Sequence, residues 1–90
     1  MKNMYEAFAT SQVTVGSTPT LISAARDGGD SVTIENLGAT QVFIGGPNVS
    51  TTTGFPIPGV AGASLTLGAT TAIYGIVASG TQAVAVLATF

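Results

Sequence analysis

The side chains able to do chemistry are few in this chain. It has no histidine and no cysteine, four carboxylates (Glu6, Asp27, Asp30, Glu35) and two basic residues, Lys2 and Arg26. Nucleophilic catalysis at a serine or threonine needs a base within hydrogen-bond reach, and only those carboxylates or Lys2 are on offer. No serine or threonine sits in a nucleophile elbow. Asp27 and Asp30 lie close together, but in the glycine-rich loop Arg26-Asp27-Gly28-Gly29-Asp30. Such a loop lacks the rigid apolar surround that drives two carboxyl pKa values apart. As a Ca²⁺ site the pair falls short of the oxygen ligands that the ion takes, so a solvated turn is the better reading. Arg26, the only guanidinium, suits either a charged contact with a partner or a local pair with Asp27 or Asp30. Gly45-Gly46 is followed by neither a helix start nor a P-loop lysine, so it is a turn and not a phosphate cradle. The expectation is no catalysis, no cofactor and no metal.

Composition narrows the class further. Charged residues make up 7% of the 90 residues, against about 25% in a typical soluble domain. With 46% hydrophobic residues, the balance is the reverse of that in disordered chains. A net charge of −2 with two basic residues excludes a nucleic-acid footprint. No basic amphipathic helix points to a membrane surface, and every apolar run falls short of a spanning helix. Glu6 and Thr10 interrupt any signal-peptide core near the start. One domain of this size usually needs disulfides, a metal or oligomerisation to be stable. Without cysteine or histidine, self-association or docking on a larger body is the remaining route.

These residues must be positioned by strands. Residues 1–10 have no clear period and read as an N-terminal arm, with Tyr5 and Phe8 as its anchors. Residues 11–90 read as one β domain. Ser11 to Val15 alternates, with Val13 and Val15 on one face, and Thr20 to Ala24 follows after a Gly-Ser-Thr-Pro turn. Ser31 to Leu37 puts Val32 and Ile34 inward, Thr33 and Glu35 outward. Gly38-Ala39-Thr40 then returns the chain through Gln41 to Ile44, with a loop length common in antiparallel hairpins. Residues 45–61 form a long, polar, proline-rich connection. In it, Phe55 and Ile57 either plug one end of the domain or touch a partner. Ser64 to Leu67 turns Leu65 and Leu67 inward. Finally, Ala72 to Phe90 reads as two strands apolar at nearly every position, joined by Ser79-Gly80-Thr81-Gln82. They are expected to pair as a hairpin covered on both faces, one cover coming from another chain. The total is an all-β fold, a small antiparallel β-sandwich or barrel of seven to eight short strands. Tyr74, Ile76, Val84 and Val86 are the candidate oligomer interface.

The stretch from Ile34 through Asn36, Gly38, Val42 and Ile44 to Gly45 resembles small tailed-phage virion proteins. So do Gly54-Phe55-Pro56-Ile57, Leu65-Thr66-Leu67 and Ile73-Tyr74-Gly75-Ile76. The closest description is a head decoration, or cement, protein, or the β module of head fibres. The resemblance covers residues 11–90 and is a β-sandwich signature rather than a catalytic fingerprint. It implies synthesis in a host cytoplasm and many copies on the capsid exterior, commonly as homotrimers. It also implies the chain itself and the major capsid protein as partners, but it carries over no functional residues; Tyr5, Phe8, Arg26 and Phe55 are the candidate capsid contacts on their side-chain types and positions alone. Two other readings stand beside it. One is an adhesion module for surface carbohydrate, which the absence of tryptophan and the presence of only Tyr5 and Tyr74 disfavour. The other is a tail or baseplate component.

Overall fold

The computed structural model describes residues 8–25, 31–68 and 71–89. They form eight strands: β1 (Phe8–Val15), β2 (Thr20–Ser23), β3 (Ser31–Asn36), β4 (Val42–Gly45), β5 (Phe55–Ile57), β6 (Ser64–Leu67), β7 (Ile73–Ile76) and β8 (Gln82–Thr89). No described residue is helical. The strands build two four-stranded sheets in the orders β1-β8-β3-β6 and β2-β7-β4-β5, and every pairing is antiparallel. The fold is the expected all-β sandwich.

The pairing is nested: β1 with β8, β2 with β7, β3 with β6 and β4 with β5. A long antiparallel ribbon rolled up on itself gives this order, the arrangement of a jelly roll with its two Greek keys. The two expected hairpins are therefore absent. β3 and β4 lie in opposite sheets, and so do β7 and β8. The loops 37–41 and 77–81 are short enough for hairpins, yet each carries the chain across the roughly 10 Å between packed sheets. At the second crossing Gly80 takes φ +71°, which L side chains rarely adopt.

Alternation explains the core. Val32 and Ile34 of β3, Val84 and Val86 of β8, and Val15 of β1 point inward from one sheet. Val42, Ile44, Ile57 and Ile73 meet them from the other, with Ile22, Val77 and Ala88 completing the cluster. β1 begins three residues before the expected domain boundary. Phe8, Ala9 and Thr10, assigned above to the arm, pair with Thr89, Ala88 and Leu87.

Residues 45–61 are less open than their composition suggests. Phe55–Ile57 is an edge strand, where Pro56 needs no outward donor, and Ile57 is buried in the core. Before it, Ser50 caps its own turn: its Oγ accepts the N–H groups of Thr52 and Thr53 at 3.3 and 3.2 Å. The Gly54 N–H then donates to the Ser50 carbonyl at 2.8 Å. This turn holds Val49, which is buried yet outside the main core.

Candidate functional site

At one end of the sandwich a buried polar joint ties the crossing loops together. Asn36 shares the parity of Val32 and Ile34 and so points inward. Its Nδ2 donates to the carbonyls of Thr40 (2.8 Å) and Pro58 (3.0 Å), and its Oδ1 accepts the Gly38 N–H (3.0 Å). Gln82 Oε1 accepts the Thr40 N–H at 3.1 Å. Gly59 packs so tightly that a Cβ there would lie 2.5 Å from the Ala39 carbonyl oxygen. All the amide atoms of Asn36 are used, so the joint positions backbone and leaves nothing free to act on a substrate.

The outer faces of the sheets are where another molecule would be met. On the β2-β7-β4-β5 sheet the chain supplies its own cover. A Cβ at Gly45 would lie 2.8 Å from Val49 Cγ2, and one at Gly54 would lie 2.6 Å from Phe43 Cβ. The 46–54 loop thus folds back over the face that carries Phe43 and Gly45. Tyr74 and Ile76 stand opposite Gly45 and Phe43 on that face. Ile76 is 8% exposed and Tyr74 half-buried.

The other outer face has no such cover among the described residues. From β1 it carries Phe8, Thr10, Gln12 and Thr14, and from β8 Ala83, Ala85, Leu87 and Thr89. Ser31, Thr33 and Glu35 of β3 and Thr66 and Ser64 of β6 complete it. Thr33 and Thr66 hydroxyls lie 2.8 Å apart. Glu35 is the one charged side chain among all the described residues. The described strands are therefore close to neutral over both faces, and contacts made through them are van der Waals and hydrogen-bonding contacts.

Two features lie at the edges. Between β6 and the β4-β5 edge is an apolar cleft of about 400 Å³, lined among others by Ile44, Phe55, Leu65, Leu67 and Ile73. Phe55 is 62% exposed beside it, and Phe8, on the opposite edge of the sandwich, is 68% exposed.

These positions sort the candidate residues. Val84 and Val86 face this chain's own core, 0% and 5% exposed, so they offer nothing to a neighbouring copy; the outward residues of β8 are Ala83, Ala85, Leu87 and Thr89. Ile76 is covered within the chain and Tyr74 half-covered. Phe8 and Phe55 are on the surface, but they are not brought together. Tyr5, Arg26, Asp27 and Asp30 lie outside the described residues. Among the described residues no group of three or more His, Cys, Asp or Glu side chains gathers, and no helix is long and apolar enough to cross a membrane. Asn36 and Val49 were missed from sequence. Asn36 had a signal in its parity with Val32 and Ile34; Val49 was a lone aliphatic residue in a polar run.

No protein-family model, curated protein or solved structure was found to match the chain. The jelly-roll description accordingly rests on strand order and register.

Proposed function

We propose that the chain is a structural protein of a phage particle. In this reading it is a decoration protein that self-associates and binds the outside of the head, stabilising it without catalysis. The observation that supports this best is the nearly chargeless body: one exposed carboxylate on eight strands, with exposed apolar side chains at Phe8, Leu21, Phe55, Val60 and Leu87. A free soluble protein is poorly served by such a surface, whereas one displayed in many copies on a lattice is held by avidity. The resemblance described above points the same way and implies trimers. The jelly-roll topology is compatible with this role, but folds of this kind serve unrelated functions, so topology adds little.

The test is co-sedimentation of the purified protein with heads stripped of it, followed by heating of the reconstituted heads. Saturable binding and a higher temperature of head rupture are the expected results. No association at saturating protein overturns the proposal.

A further inference from the structure

Each sheet has two edges, and native proteins defend edges against pairing with other chains by keeping them short, charged, kinked or proline-containing. Three of the four edges here obey that rule. β5 has three residues, one of them Pro56. β2 has four and a register shift between Leu21 and Ser23. β6 has four. The fourth edge does not. β1 runs eight residues, Phe-Ala-Thr-Ser-Gln-Val-Thr-Val, with no charge, proline or glycine. Its register with β8 is unbroken from Phe8↔Thr89 to Val15↔Gln82. No described strand pairs with its other side, and Phe8 through Gln12 are all exposed.

We propose that β1 pairs with β1 of a second copy, antiparallel about a two-fold axis, joining two four-stranded sheets into one of eight. The strand's neutrality selects a second copy as the occupant. Symmetric pairing sets identical residues near one another, which like charges would oppose; β1 has none. Parity then limits the register. Odd-numbered residues of β1 face the core and even-numbered ones face outward, so both cores stay on one side only when like-parity positions pair. Val15 is fully buried where the chain turns into the other sheet, and the next carbonyl, Gly16, accepts the Val77 N–H. That leaves Phe8 to Thr14, centred on Ser11 opposite Ser11. In this register Thr10 faces Gln12. The exposed Phe8 lies beside the second copy's Thr14, with that copy's small Ala83 next along the row.

The pairing gives the self-association proposed above a two-fold contact, different from the three-fold one that the resemblance implies, and it is tested separately from head binding. The whole chain is measured by sedimentation equilibrium, with Ser11→Lys, Ser11→Glu and their equimolar mixture alongside. The expected wild-type mass is that of a dimer or an even multiple. Each single variant should weaken association by up to about fivefold, and the mixture should restore it, which shows that both variants are folded. The chain has no cysteine, so Ser11→Cys provides a clean second readout. Facing Cα atoms in an antiparallel pair lie about 4.5–5.5 Å apart, within disulfide range, and oxidation should give a covalent dimer that Ser79→Cys on the exposed β7-β8 loop does not give. A monomeric or trimeric wild type overturns the pairing, as does Ser11→Cys cross-linking no better than Ser79→Cys. A trimer that still binds heads would leave the proposed function standing.

Discussion

β7 and β8 are consecutive, equally greasy in sequence, and treated oppositely by the fold. β7 lies in the sheet whose outer face is overlaid by the 46–54 loop, so its outward Ile76 is nearly as buried as a core residue. β8 lies in the sheet whose outer face is bare among the described residues, and there its outward positions shrink to Ala83, Ala85 and a 39%-exposed Leu87. Apolar runs thus arise in two ways. One strand is buried on both sides by its own chain. The other alternates large inward residues with small outward ones. Only the second leaves a face on which another molecule can lie flat.

Substitutions can break that comparison. The largest contrast is between neighbours on β8. Val84→Asp places a charge in the core without a partner and should cost more than about 4 kcal/mol, enough to unfold a chain of this size. Ala85→Asp, one residue on and half-exposed, should leave a folded protein; circular dichroism separates the two outcomes. A smaller effect tests the cover of the opposite sheet. Val49→Ala strips part of that cover and should lower stability by about 2 kcal/mol, read as a shift in denaturant midpoint at unchanged slope. The smallest is Leu87→Ser on the bare face. In dilute solution it should change stability by no more than about 0.5 kcal/mol. A loss as large as that for Val49→Ala would mean that Leu87 is covered in solution.

The sequence made the faces legible and the partners illegible. Alternation placed Val32, Ile34, Val13, Val15, Leu65 and Leu67 correctly because a strand's side-chain period is a local property. Pairing is not local. Gly38-Ala39-Thr40 and Ser79-Gly80-Thr81 reverse the chain in either a hairpin or a crossing between sheets, and nothing near them selects one. The selection comes from contacts such as Phe8↔Thr89, distant along the chain. The same limit misplaced Val84 and Val86. Strands apolar on both faces predict a cover from another subunit, whereas the cover for β7 is a loop of this chain that composition marks as polar. Of the candidate surface residues, Phe8 is exposed because its parity puts it on the bare outer face, whereas Phe55, opposite the inward Ile44, is exposed because at the edge the opposite sheet no longer covers it.

The near-neutral body has one further consequence. Attraction between ions weakens as added electrolyte shortens the Debye length, but contacts built from methyl groups, hydroxyls and backbone amides have little to screen. Whatever the described sheets and their edges hold should stay held as the medium passes from dilute to concentrated salt, with Glu35 the single point among the described residues that would register the change.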